Sequence, residues 1–191
     1  LQKTNLNKAS DEILLQQLKW PIETMYIGVR PVENEAVTAS HAQLSNWHRF
    51  HRVGSAGGAG NSDVDGVLRQ DADELAAVVN ACVVRECYPT VDRLTITAHG
   101  IPLYNDIAST FFNAYQPYVY GGPHIRTPED CGLLMVNFCL YPGSYQPSGH
   151  VNISRAREFF LKYTSSVVSG AADGVSDLVV VASAINFLLI S

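Results

Sequence analysis

Apolar and polar residues alternate with a period of two in several parts of the chain, and this pattern limits the fold more than any other feature. Met25, Ile27 and Val29 alternate with Tyr26, Gly28 and Arg30 before Pro31 closes the run. After Pro89, Leu94, Ile96 and Ala98 alternate against Thr95, Thr97 and His99 until Gly100. Successive side chains of a strand point to opposite faces, so each run predicts a strand buried on one side. The segment Gly132 to Tyr141 is apolar on both faces, with Leu134, Val136, Phe138 and Leu140 on one and Leu133, Met135 and Cys139 on the other. It is expected in the middle of a covered sheet, ended by Pro142 and Gly143. From His150, Val151, Ile153 and Arg155 alternate against His150, Asn152 and Ser154, and the chain beyond Arg155 either continues as a strand or bends across a bulge. The last long element, Asp177 to Ile190, is rich in β-branched and small residues, as a central strand would be.

The other segments carry different signals. Ser10 to Trp20 reads as a short helix: Ser10 is a candidate N-cap, Asp11 and Glu12 suit the positive end of the dipole, and Pro21 stops it. Ile13, Leu14 and Leu18 would share its buried face. Between Pro31 and about Asp71 the sequence turns polar and carries the glycine-rich AGGAGNSDVDG, which predicts a long loop. Asp73 to Val84 has Leu75, Val78, Val79, Cys82 and Val83 at helical spacing, although its valines also favour a strand. Several strands, long loops, few helices and no alternating βαβ rhythm predict an all-β sandwich with loop insertions. Periodicity alone leaves a jelly roll and an immunoglobulin-type sandwich both open.

Composition excludes some classes of function. At 191 residues the chain can bury one sizeable core and is expected to form one domain, 1–191, with its variable loop at roughly 31–90. A formal charge of −5 gives no positive field to neutralise phosphates, so no direct nucleic-acid partner is expected. The longest apolar run, Leu178 to Ile190, is interrupted by Ser183 and Asn186, and no membrane insertion is expected. Cys82, Cys87, Cys131 and Cys139 show neither the paired spacing of a zinc site nor the density of a disulfide scaffold, and read as free thiols in a reducing compartment. The chain starts at Leu1 without a signal-peptide pattern, which reads as a fragment of something longer.

Local clusters offer little chemistry. His48 and His51, beside Trp47, Arg49 and Phe50, could be joined by Glu33 or Glu35 in a metal site. The close His-x-His pair of a metal-binding jelly roll is absent, and a loop anchored by Trp47 and Phe50 is the plainer expectation. The AGGAGNS loop lacks the Gly-Lys-Ser/Thr ending that would reach a phosphate and magnesium. Ser144, Ser148 and His150 sit near one another without a G-x-S-x-G elbow. Asn152-Ile153-Ser154 is formally a glycosylation acceptor inside a predicted strand, and an unmodified Asn is expected. Arg155, Arg157 and Glu158 read either as a solvated face or as an ion-pair network at a subunit contact. No catalytic residue, cofactor or metal ligand is assigned.

Longer tracts carry a resemblance. YQPSGHVNISRAREF (Tyr145 to Phe159) resembles a segment near the carboxyl terminus of the major capsid proteins of large nucleocytoplasmic DNA viruses, of the asfarvirus and faustovirus kind. Lys19 to Pro31, Asn46 to Phe50, Thr97 to Ile101, Tyr120 to Met135 and Asp177 to Leu189 look like further stretches of that family in the same order. The glycine loop from Gly54 to Gly66 and the segment on to Tyr88 depart from the swine fever pattern and favour a faustovirus-like relative. The resemblance implies a jelly-roll sandwich forming the carboxyl-terminal half of a double jelly-roll protein, and leaves open whether strands are missing on its amino-terminal side. It further implies a structural, non-enzymatic role: homotrimeric, pseudo-hexagonal capsomers that contact neighbouring capsomers and minor capsid proteins. These would tile an icosahedral shell of the virion, assembled in the host cytoplasm. Two other classes stand beside it. One is a virion surface module that binds a host glycan or receptor through the loop from Pro31 to Gly66, and the other is a metal-dependent jelly-roll enzyme.

Overall fold

A computed structural model describes residues 2–18, 20–31, 49–54, 86–122, 125–153, 158–168 and 176–186. Its strands are β1 (Gln2–Leu6), β2 (Ser10–Leu14), β3 (Pro21–Arg30), β4 (His51–Gly54), β5 (Glu86–Pro89), β6 (Arg93–Ala98), β7 (Ile101–Ala108), β8 (Leu133–Asn137), β9 (Val151–Asn152), β10 (Phe159–Thr164) and β11 (Ser176–Ala184). A π-helical turn, Phe111–Tyr115, runs into a short helix α1, Gln116–Tyr120.

Two antiparallel ladders form the sandwich. One has the order β1-β11-β3-β8, with β9 pairing to the start of β3, and the other has the order β2-β10-β6-β7. The chain crosses from one sheet to the other as it passes from β1 to β2 to β3, and again through β8, β10 and β11, so sequence neighbours face each other across the core. Two facing ladders of four strands each, with the short β9 added to the first, make the jelly-roll arrangement. β1 and β2 are the outer members of the two ladders among the described residues.

Register explains the core. Val180 pairs with Ile27, which pairs with Leu134, and all three side chains are buried in one row across the first sheet. In the facing sheet Ile13, Leu161 and Ile96 make the matching row. Alternate residues on each inner face join one hydrophobic cluster, which includes Met25, Val29, Leu94, Phe159, Tyr163 and Leu178. The strands read from alternation at Met25–Val29 and Leu94–Ala98 are present as β3 and β6, and β11 lies centrally between β1 and β3. The β6–β7 connection is a two-residue turn, His99-Gly100, with both residues at positive φ (54° and 75°). Their twist suits a tight hairpin.

Five expectations are corrected. Ser10–Leu14 is a strand rather than a helix, pairing residue for residue with Phe160–Thr164. Ile13 and Leu15 point inward while Leu14 is half-buried, because pairing satisfies a backbone that a short isolated helix would leave marginal. The strand expected through Tyr141 ends at Asn137. There Phe138 N donates to Glu23 O, and the Asn137 side chain holds Cys139, turning Leu140 and Tyr141 outward. Nor is β8 in mid-sheet: among the described residues it pairs only with β3, and the helical segment packs against it. The segment from His150 to Tyr163 is two strands in different sheets, with buried Ile153 between them. Finally, part of the expected long loop is the β4–β5 hairpin, which joins His51–Gly54 to Glu86–Pro89. The glycine-rich run and the helix-or-strand segment 73–84 lie outside the described residues.

Candidate assembly surface

Strand β7 is the edge of its sheet, and most of its side chains are exposed. Ile101 is 65% exposed and Leu103 is also open, where an ordinary sandwich strand would alternate. The chain then turns into the π-helical segment, whose Phe112 is fully buried and plugs the gap between β7 and β8. Phe111 packs edge-on to Phe112 and stacks on Tyr115, with centroids 5.3 Å and 5.2 Å apart. Tyr104 meets Phe112 edge-to-face at 5.3 Å. Offset and edge-on pairs of this kind fix ring orientation as well as burying area.

Outward from these rings stand Tyr118, 83% exposed, and Val119. Across a groove of about 450 Å³ lies Leu140, followed in sequence by exposed Tyr141. Leu103, Tyr104, Phe111, Tyr120, Phe138 and Val151 line this groove. Its central polar groups, on Tyr104, Gln116 and Asn137, are engaged with one another. Tyr104 donates its hydroxyl to Asn137 O (2.9 Å), Gln116 Nε2 donates to Tyr104 Oη (3.0 Å), and Asn137 N donates to Gln116 Oε1 (2.8 Å). Burial pushes the Tyr104 hydroxyl above its usual pKa, and the Cys139 thiol beneath the groove likewise. A groove with satisfied polar groups and an apolar rim suits packing against another surface better than holding a polar small molecule.

Asp130 makes a second cluster. Its carboxylate accepts hydrogen bonds from Phe50 N (2.7 Å) and Gly132 N (2.8 Å) and lies 2.8 Å from His51 Nδ1. Thr90 donates its hydroxyl to Phe50 O (2.7 Å), next to the His51–Pro89 pair, and so closes the β4–β5 hairpin at its base. Possible metal-ligand atoms of His51, Asp130 and Cys131 lie within 4.8 Å of one another. The carboxylate already serves three donors, which gives it a structural task.

Of the residues singled out in the sequence, Phe50, His51 and Cys131 lie at this cluster. Glu33, Glu35, Trp47, His48, the AGGAGNS loop, Arg155 and Arg157 lie outside the described residues. Phe50 is an anchor, as expected. Ser148 Oγ accepts from Tyr141 N and Ser144 Oγ accepts from Gln146 N, so each hydroxyl shapes the loop it sits in. Asn152 is exposed in β9. Cys131 and Cys139 form no disulfide among the described residues. Among the described residues no helix is long and apolar enough to cross a membrane. Sequence reasoning passed over Ile101–Tyr120, though the spacing of Tyr115, Tyr118 and Val119 and the lack of charge around them were visible.

The sequence profile of the family "Large eukaryotic DNA virus major capsid protein" matches residues 8–191. The chain belongs to that family. It is 40% identical over 192 aligned positions to the "Hexon protein p72" of African swine fever virus (isolate Tick/Malawi/Lil 20-1/1983), covering 96% of this chain and 29% of the relative. It therefore spans less than a third of that capsid protein's length. The "Faustovirus major capsid protein" superposes with a TM-score of 0.78 at 38% identity, over 100% of this chain and 33% of that one. The PBCV-1 virus capsid protein, at 16% identity and a TM-score of 0.56, shares the fold over 95% of this chain and 46% of its own. The family is structural, and its jelly roll accounts for both ladders described above.

Proposed function

We propose that this chain is a shell-forming jelly-roll domain of a major capsid protein and carries out no catalysis. The observation that supports this best is the match of the whole described sandwich to the Faustovirus major capsid protein at 38% identity. On this reading the full protein is a homotrimer with a pseudo-hexagonal outline. Such capsomers pack beside one another, and with minor capsid proteins, into the icosahedral shell of a large double-stranded DNA virus assembled in the host cytoplasm. The physical demands are stiff domains, edges closed to uncontrolled pairing and complementary side surfaces. Two dense sheets meet the first demand. The net charge of −5 argues for a wall that encloses DNA without gripping it.

Light scattering on the full-length protein after size-exclusion chromatography tests the reading. A mass three times that of the chain is the expected result. A stable monomer at high concentration would count against it.

A further inference from the structure

We propose that the exposed ridge formed by β7, the helical segment and the loop around Leu140 is an interface between copies of this chain, closed by side-chain packing. The inference rests on the capsid reading and adds where and how copies meet.

Charge distribution carries the argument. Lys, Arg, Asp and Glu make up 16% of the sequence, yet none occurs from 107 to 125 or from 131 to 154. The fold brings these two uncharged runs to one face, where Phe111 and Tyr120 from the first and Phe138 and Leu140 from the second line the same groove. Tyr118, Leu140 and Tyr141 stand exposed around it. Two copies of a chain with charge −5 repel at most approaches. Along the helical segment and the Leu140 loop this face has no ionised group, and the one ion pair on β7, Asp106 with Arg93, is closed on itself, so copies meet there with no like charge buried. It offers nothing to a phosphate backbone or an anionic headgroup, which would need cations. Tyr115 is already stacked on Phe111, so this part of the ridge loses little side-chain freedom on docking.

The mode of contact also follows from β7. Edge strands invite addition of another strand, but here Pro102 removes a donor. The register slips near Thr95, where Asp106 takes a positive φ of 50° and is held by Arg93. A proline and a bulge together make the edge a poor template. Contact through rings and leucines remains.

The test uses the full-length protein with Tyr118→Asp and Leu140→Asp together. Both side chains are solvent-exposed, so circular dichroism should be unchanged, while dissociation of the oligomer should rise on the order of tenfold or more. In otherwise unaltered protein, a photo-crosslinking benzophenone in place of Tyr118 should give a product of twice the chain mass. Crosslinks confined to one polypeptide, or an oligomer unaffected by the double substitution, would overturn the inference while leaving the capsid reading intact. An unaltered protein that never oligomerises would remove both.

Discussion

The ring of Phe50 lies directly over Gly28. A Cβ built on Gly28 would sit 2.5 Å from Phe50 Cδ1, closer than real contacts allow. Gly28 is thus in mid-strand because another segment's ring occupies the space of its side chain, and the hairpin bearing Phe50 is seated on β3 by that contact. Gly28→Ala should destabilise the fold by about 1–3 kcal/mol through overpacking. Phe50→Ala should remove most of the added cost in the double variant, because the two changes share one contact. Thermal or urea unfolding of the four proteins would check this, and strictly additive effects would refute the coupling.

Asp130 fastens the same hairpin from the other side. Replacing its carboxylate in Asp130→Ala leaves the backbone N–H groups of Phe50 and Gly132 without their acceptor. Each such loss costs about 1–3 kcal/mol when the donor stays dry. The expected result is a lower unfolding midpoint and faster amide exchange across His51–Gly54, with exchange in β10 much less affected. Equal acceleration in both strands would mean that the cluster does not act locally.

Much of the sandwich was legible because alternation is a local signal with a single physical meaning. Met25, Ile27 and Val29 could share a face only in a strand, and the His99-Gly100 turn marked the end of β6. Ser10–Leu14 was misread because its cap-like serine and acidic first turn are local helix cues, whereas its strand state depends on β10, far away in sequence. Ile101–Ala108 was missed for the opposite reason: an edge strand exposed on both faces has no alternation to read. The assembly surface exists only after folding, since Phe111 and Leu140 come from separate segments. Its lack of charge was visible in the sequence, but the shared face was not.

The rows of the core make a graded prediction. Leu161 is fully buried and pairs with Ile13 on one side and Ile96 on the other. Leu161→Ala should cost about 2–5 kcal/mol, the range for a large cavity in a dense core. Val181, 45% exposed on the outer face of β11, should tolerate Val181→Ala with a change of about 0.5 kcal/mol or less. Equilibrium unfolding distinguishes the two, and similar losses at both sites would contradict the assigned faces of the sandwich.

Alkaline pH should weaken the fold. Burial is the first cause raising the pKa of Tyr26, Tyr104, Tyr163 and Cys139 above their ordinary values of 10.0 and 9.0. Below about pH 8 all four are protonated in folded and unfolded chains alike, and their contribution is fully present. As pH rises past those ordinary values the unfolded chain sheds protons first, so the folded state binds more protons and stability falls with pH. The loss continues until the folded groups themselves ionise. Tyr163 adds a structural link, since its hydroxyl donates to Lys8 O (2.6 Å), and the negative charge of Asp11 further opposes its ionisation. Urea midpoints measured from about pH 8 to pH 11 should therefore decline, and Tyr163→Phe should lower the midpoint near neutral pH while making the decline shallower. A midpoint that stayed level across that range would show that these hydroxyls and the thiol are as open to solvent when folded as when unfolded.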